Sequence, residues 1–109
     1  MKGQMGKFLK QAQKMQAEFV RAQEEIARME VEHSAGGDAV VARVNGEMKL
    51  LSIKITPEAV DPDDVETLED LVLAAVNGAI REVKTKSEER MSQVTGGMPG
   101  MPGMPQINF

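Results

Sequence analysis

Apolar residues in the first part of the chain recur at alternating spacings of three and four positions. The repeating set is Met5, Phe8, Ala12, Met15, Phe19, Ala22, Ile26 and Met29. This spacing has a period of about 3.5 residues, which is typical of a helix whose apolar seam faces another helix. The intervening Gln, Lys, Glu, Arg and Ala residues are strong helix formers. The pattern therefore predicts one uninterrupted helix over residues 4–29.

Short β-favouring runs follow this helix, over residues 31–34, 39–44 and 48–55. Gly36-Gly37 suits the positive φ of a tight turn, and Asn45-Gly46 is a strong hairpin signal. The alternation of the third run shifts at Leu50-Leu51, which predicts either a β-bulge or a strand partly covered on both faces. Together the three runs predict a three-stranded antiparallel meander.

A second long helix is predicted from residue 63 to residue 91 or 94. Its broad apolar face consists of Val65, Leu68, Val72, Ala75, Val76, Ala79, Ile80 and Val83. Asp61-Pro62 fits an N-cap followed by proline at the first helical position, with the surrounding carboxylates near the positive end of the helix dipole. Gly78 is unfavourable inside a helix. Close approach of another helix or strand is one explanation for this glycine, and simple tolerance is the other.

These elements predict an α+β fold in a single domain over residues 1–95. The Met-Pro-Gly triplets that follow Gly97 cannot form a helix or an internal strand, so residues 96–109 are predicted to be a disordered tail. The absence of cysteine favours a reducing compartment. No run approaches the ~18–20 apolar residues that cross a bilayer. The sequence therefore predicts a soluble cytoplasmic protein that does not enter a membrane.

The predicted helix lengths indicate self-association. At 1.5 Å per residue the first helix is about 39 Å long, whereas a compact domain of about 100 residues is ~33 Å across. The overhanging apolar stripe would be exposed in a monomer, and an intertwined or side-by-side homodimer is the commonest way to cover it. The residues predicted for the dimer interface are Phe8, Met15, Phe19, Ile26, Leu68 and Val72. The alternative, in which the two helices cover each other within one chain, stays open.

A basic stripe runs beside the seam of the first helix. Lys7, Lys14, Arg21 and Arg28 recur every seven positions, and no acidic residue precedes Glu18. A dimer would duplicate this stripe and could neutralise backbone phosphates without reading bases. The candidate DNA-binding residues are Lys2, Lys7, Lys10, Lys14 and Arg21. The alternative is that the arginines pair with nearby glutamates on the helix surface.

The sequence contains no recognisable arrangement for catalysis. His33, the only histidine, lies in a predicted strand with no Ser or Cys nucleophile motif nearby, and we expect it to be a surface residue. The carboxylates between Asp61 and Asp70 lack the Gly-centred spacing of a calcium loop. The paired glycines match neither phosphate-binding motif. The sequence therefore predicts a non-enzymatic protein with no metal, cofactor or small-molecule substrate.

Several short motifs occur in a fixed order along the chain. They are Gln11-Ala12-Gln13-Lys14-Met15-Gln16, Ala35-Gly36-Gly37, Val44-Asn45-Gly46, Ser52-Ile53-Lys54-Ile55, Asp61-Pro62-Asp63-Asp64 and Ala74-Ala75-Val76-Asn77. Their order over residues 5–97 resembles the YbaB/EbfC family of nucleoid-associated proteins. The resemblance implies a helix–three strands–helix fold and an obligate, tweezer-like homodimer. It also implies bacterial cytoplasmic DNA binding, associated with the nucleoid and with gene regulation.

Two functional hypotheses result. The first is a nucleoid-associated homodimer that binds duplex DNA largely through phosphate contacts and affects nucleoid organisation or gene expression. The second is a dimeric protein-interaction module without DNA affinity, in which the apolar seam or the Met-rich tail holds a protein partner. The net charge of −4 argues against a polyanion partner, whereas the first helix, basic along one flank and free of acid in its N-terminal half, favours DNA.

Overall fold

The computed structural model describes residues 2–95, and the side chains of residues 5–94. The elements in chain order are helix α1 (Lys2–Arg28), strands β1 (Glu30–Ala35), β2 (Val40–Asn45) and β3 (Leu50–Ile55), a short 3₁₀ helix (Pro57–Ala59) and helix α2 (Val65–Thr95). The predicted α+β fold, with a long helix at each end of a three-stranded meander, is confirmed. The tail predicted over residues 96–109 and the Lys2 side chain lie outside the described residues.

The three strands form an antiparallel sheet in the order β1-β2-β3. Gly36 and Gly37 both have positive φ, at 65° and 61°, as the turn between β1 and β2 requires. On the β3 side, Arg43 pairs with Ser52 while Val44 pairs with Leu50, so Leu51 is the extra residue of a β-bulge. The predicted bulge at this position is confirmed.

The β2–β3 hairpin uses Asn45 and Gly46 in different ways. Asn45 Oδ1 accepts hydrogen bonds from the backbone N–H groups of Glu47, at 2.9 Å, and Lys49, at 3.0 Å. Gly46 makes no left-handed turn, since the positive φ of 63° belongs to Met48. A Cβ at Gly46 would collide with the backbone carbonyl of Ile26. Glycine is therefore needed here because the end of α1 packs directly on the hairpin.

The sequence predicts Asp61 as the N-cap of α2, and this prediction is wrong by three residues. Asp61 Oδ1 accepts a hydrogen bond from the backbone N–H of Asp63 at 2.9 Å and so stabilises a turn before the helix. Asp64 is the residue that caps α2. Its Oδ1 accepts from the Thr67 N–H at 3.3 Å and its Oδ2 accepts from the Thr67 hydroxyl at 2.7 Å. Both aspartates fit locally, but only Asp64 has a threonine three residues on that returns a second hydrogen bond.

The core lies between α2 and the first two strands. Its fully or nearly fully buried residues are Val31, Val40, Ala42, Val44, Ala75, Ala79 and Val83. Gly78 is buried where the imidazole ring of His33 on β1 lies against α2, so a Cβ at Gly78 would overlap the ring. Close approach of a strand therefore explains this glycine. His33 faces α2 with its Nδ1 3.7 Å from Glu82 Oε2, although its side chain remains 42% exposed.

Helix α1 extends away from the sheet and packs along the C-terminal part of α2, and the two helices run in opposite directions. Ala22 is fully buried, and Arg90 Nε donates a hydrogen bond to Glu25 Oε2 at 2.7 Å. Residues 5–14, which we call the arm, are exposed throughout. The molecule is accordingly elongated, with dimensions of 76 × 30 × 16 Å. None of the helices within residues 2–95 has the length and hydropathy of a membrane-spanning segment.

Candidate nucleic-acid interface

Five cationic side chains lie on one side of α1 and are called here the basic stripe. They are Lys7, Lys10, Lys14, Arg21 and Arg28, and all five are exposed. At about 100° of rotation per residue, they fall within about 60° of one another around the helix. From first to last the stripe is about 31 Å long, which is close to the ~34 Å of one turn of duplex DNA. Uninterrupted helical structure from Lys2 to Arg28 keeps the five charges in line.

The cations of the basic stripe are not taken up by ion pairs within residues 5–94. The ion pairs formed there are His33–Glu82, Arg43–Glu30 and Arg90–Glu25. The hydrogen bond from Arg90 lowers the pKa of Glu25, and the positive charges of Arg21 and Arg28 lower it further from a longer distance. Glu25 makes its ion pair with a residue of α2 and none with Arg21 or Arg28. Surface pairing of the two arginines, the alternative to a basic stripe, is therefore not what the structure contains.

Acidic residues are concentrated at the opposite end of the molecule. Seven of them occur between Glu58 and Asp70, around the first turns of α2. From Val65 to Arg90, helix α2 rises about 38 Å, and the arm extends further still beyond Arg90. Seven of the seventeen acidic residues therefore lie far from the basic stripe, and the net charge of −4 does not describe the charge beside the arm. The field of an exposed charge is screened within a Debye length of ~8–10 Å, so the acidic end does not cancel the stripe.

The six residues predicted for the dimer interface fall into two groups at different ends of the molecule. Phe8 is 73% exposed on the arm. The other α1 members are Met15, Phe19 and Ile26, and they line the seam from the end of the arm to the end of the helix. Leu68 and Val72 line a groove near the start of α2. The rise along α2 and then along α1 places Phe8 about 50 Å from Val72.

The groove at the start of α2 is bordered by β3, a strand to which the sequence analysis assigned no functional role. It has a volume of about 440 Å³ and is lined by Ile55, Leu68, Glu69, Val72, Leu73 and Val76. Leu73 is 61% exposed, and Ile53 and Ile55 of β3 are also exposed. A helix is about 10 Å wide and strands are about 4.8 Å apart, so one helix covers two strands and leaves the third open. In the sequence, the signal for this surface was an apolar third strand in a fold with a single helix to cover the sheet.

Within residues 2–95, no group of three or more His, Asp or Glu side chains is placed to hold a metal ion. The acidic end of α2 is included in that range, and two of its carboxylates, those of Asp61 and Asp64, form the turn and the cap. The features that the described residues do present are an extended row of cations and a separate apolar groove.

Comparison with known proteins gives a consistent result. The model of the YbaB/EbfC DNA-binding family matches residues 1–98. A nucleoid-associated protein of Clostridium perfringens is 52% identical over 96 residues, covering 88% of this chain and 86% of that protein. A nucleoid-associated protein of Pelotomaculum thermopropionicum is 46% identical over 98 residues, covering 90% and 93%. An uncharacterized protein from Helicobacter pylori has the same fold, with a TM-score of 0.58 at 20% identity over 72% of this chain and 90% of that one. The chain therefore belongs to the YbaB/EbfC DNA-binding family.

Proposed function

We propose that this protein is a DNA-binding homodimer of the nucleoid that holds duplex DNA against the basic stripes of its two α1 helices. The observation that carries the proposal is a row of exposed cations along a helix of a protein in a DNA-binding family, with no ion pair to them within residues 5–94. Relatives named nucleoid-associated proteins support a location in the nucleoid, and hence in the cytoplasm. Effects on nucleoid organisation or gene expression would follow from occupancy of the DNA.

Phosphates are the part of DNA that the basic stripe suits. Lysine is a flexible point charge, which binds phosphate well and reads bases poorly. If Lys7, Lys10, Lys14 and Arg21 of each protomer neutralise one phosphate each, a dimer neutralises about eight. The logarithm of the binding constant should then fall with the logarithm of salt concentration with a slope of about −7. Lys2 belongs to the same proposed set, at the N-terminal end of the row, and with its contacts included the slope would be about −9.

The two-fold contact of the proposed dimer is the groove between β3 and α2. Leu68 and Val72, both predicted interface residues, line this groove, and Leu73 and Ile55 expose apolar surface beside it. As an edge strand, β3 also has unpaired backbone groups that a second copy can cover. A side-by-side contact here leaves both arms free and about 50 Å from the groove, so both basic stripes stay available to DNA.

The test of DNA binding is the triple substitution Lys7→Glu, Lys10→Glu and Lys14→Glu. We expect affinity to fall alike on unrelated duplex sequences and the salt dependence to become much shallower, because the variant removes six of the eight proposed phosphate contacts. Fluorescence anisotropy with labelled duplexes over a salt series measures both. The matched control is Lys49→Glu, Lys84→Glu and Lys86→Glu, which changes three exposed lysines outside α1 by the same total charge.

The control separates local contacts from net charge, because both variants become more acidic by the same amount. Equal losses in the two variants would contradict the basic stripe, and loss on one DNA sequence alone would contradict phosphate binding. A stable dimer with no DNA affinity even at low salt would instead favour the protein-interaction module.

The test of the dimer contact is Leu73→Glu, at a side chain that is 61% exposed and therefore dispensable for the fold of one chain. We expect this variant to sediment as a monomer and to bind DNA more weakly, since the two arms no longer act together. The matched control is Leu9→Glu on the arm, where the side chain is 59% exposed. If Leu9→Glu gives the monomer and Leu73→Glu does not, the dimer forms through α1.

A further inference from the structure

The arm has an apolar side that the proposed function does not use. We call Met5, Phe8, Leu9 and Ala12 the apolar stripe of the arm. Met5, Phe8 and Leu9 are 71%, 73% and 59% exposed. Three large apolar side chains side by side on a projecting helix form an exposed patch, and such patches mark interaction sites in soluble proteins.

The apolar stripe and the lysines lie on opposite sides of the arm. With about 100° of rotation per residue, the centre of the stripe is about 180° from the centre of Lys7, Lys10 and Lys14. When the lysines face phosphates, the apolar stripe therefore points away from that DNA, which argues against a wedge between its bases. The same two-sided arrangement occurs in helices that lie on lipid surfaces, so vesicle binding is the competing outcome in the experiment below.

The partner that fits the stripe is another helix of the same kind. Met5, Phe8 and Ala12 of the stripe continue, at the same alternating spacing, the seam that carries Ala22 into the contact between α1 and α2. The cover supplied by α2 does not reach the arm, whose residues are exposed throughout. An arm from a second dimer presents an identical stripe, and two identical stripes can pair around a two-fold axis.

Arms alone should not pair stably. Each arm has three large apolar side chains, far fewer than the ~20–30 residues a side of a standard stable interface. Each arm also carries three lysines and no acidic residue, so two arms repel one another. DNA removes both obstacles, because phosphates neutralise the lysines and the duplex holds neighbouring dimers at a high local concentration.

We infer that arms of neighbouring DNA-bound dimers pair through Met5, Phe8 and Leu9, so that this chain occupies DNA cooperatively in contiguous groups. The inference rests on the proposed function, since it needs DNA bound along the basic stripe. It assigns the second side of the arm to contact between dimers and leaves the groove between β3 and α2 as the contact within a dimer.

The first experiment compares two duplex lengths, one that holds a single dimer and one that holds several. The full-length chain should bind the short duplex without cooperativity and the long duplex with a Hill coefficient above one. The double variant Phe8→Gln and Leu9→Gln, which keeps all lysines and good helix formers, should bind the short duplex unchanged. On the long duplex its midpoint should rise about fivefold or more, the usual minimum of a coupling effect. Val20→Gln, at an exposed apolar residue of α1 outside the arm, is the control.

The outcomes separate this inference from the proposed function. No binding to the short duplex would overturn both. Binding to the short duplex with non-cooperative binding to the long one, or a double variant as cooperative as the parent chain, would overturn the inference alone. Loss of cooperativity on removal of residues 98–109, with cooperativity kept in the double variant, would also overturn the inference alone. Binding of the parent chain to vesicles of anionic phosphatidylglycerol through Phe8 would do so as well.

A second measurement detects the contact directly. The chain has no cysteine, so Leu9→Cys introduces a single thiol on the apolar stripe. Oxidation should join pairs of chains on the long duplex but not on the short duplex or in free solution. Gln11→Cys is the matched control, because this exposed neutral residue lies about 160° around the arm from Leu9, and it should not cross-link on the long duplex. Absence of a DNA-length-dependent cross-link at position 9 would overturn the inference.

Discussion

Substitution of Gly78 tests the contact between α2 and the sheet. The glycine is buried in the middle of α2, and the imidazole of His33 occupies the space where a Cβ would be. The added carbon would overlap Cδ2 and Nε2 of the ring and would lie 2.8 Å from its Cγ. Because Cγ is close to the strand backbone, the ring can clear the methyl group only by changing its rotamer or by moving β1.

Two opposing effects set the magnitude for Gly78→Ala. Alanine is favoured over glycine inside a helix by about 1 kcal/mol. Overpacking a well-packed site costs about 1–3 kcal/mol, and overlap with three atoms of a rigid ring places this site in the upper half of that range. We therefore expect a net loss of about 1–2 kcal/mol in the free energy of unfolding. In a His33→Ala background the ring is absent, so the same substitution should stabilise the protein by about 1 kcal/mol.

Urea denaturation of the four chains in this double-mutant cycle measures the coupling, which should be about 2–3 kcal/mol. All four chains must be compared at one protomer concentration, because dimerisation makes apparent stability concentration-dependent. The diagnostic result is the change of sign between the two backgrounds. If Gly78→Ala stabilises the parent chain and the His33→Ala chain equally, the contact between strand and helix does not require glycine, and the reasoning is refuted.

Two further local arrangements are expected to respond to substitution. Asp64→Ala should lower the free energy of unfolding by about 1 kcal/mol. Asp61→Ala should lower it less, because the cap of α2 is formed by Asp64. Thermal melting compares the two variants, and a larger loss for Asp61→Ala would contradict the cap. The hydrogen bond from Arg90 lowers the pKa of Glu25 from its ordinary value of 4.5. The ionised carboxylate therefore stabilises the fold above pH 4.5, and this contribution is lost as the pH falls through the lowered pKa. The stability difference between the parent chain and Glu25→Gln should therefore be present at neutral pH and shrink below about pH 4.5; a difference that is constant with pH would count against the ion pair.

The elements of this protein follow from local patterns in its sequence. The spacing of Phe8, Ala12 and Met15 predicts a helix, because apolar positions three and four apart share one face of a helix. The altered alternation at Leu50-Leu51 predicts the bulge, because strand side chains alternate between faces and an extra residue shifts the alternation. Such features depend on neighbours a few positions away, and the predicted helix ends lie one to four residues from those of the structure.

Other features depend on which elements meet, and local patterns leave them open. Asp61 and Asp64 are both acceptable caps by sequence, and only the path of the chain into α2 selects the second. Glu25 has arginines nearby on its own helix, yet its partner is Arg90, which is 65 residues away. Similarly, Gly78 has two explanations until the ring of His33 is seen against it.

The functional surfaces were also predictable only in part from the sequence. The basic stripe was predicted from the sequence, because its cations share one helix and their relative positions follow from helical geometry alone. The division of the apolar residues into a groove near Leu68 and a stripe near Phe8 was not predicted, because it depends on where α2 covers the sheet and where it stops covering α1. Periodicity determines which face of a helix is apolar, whereas packing between distant elements determines which parts of that face remain exposed for a partner.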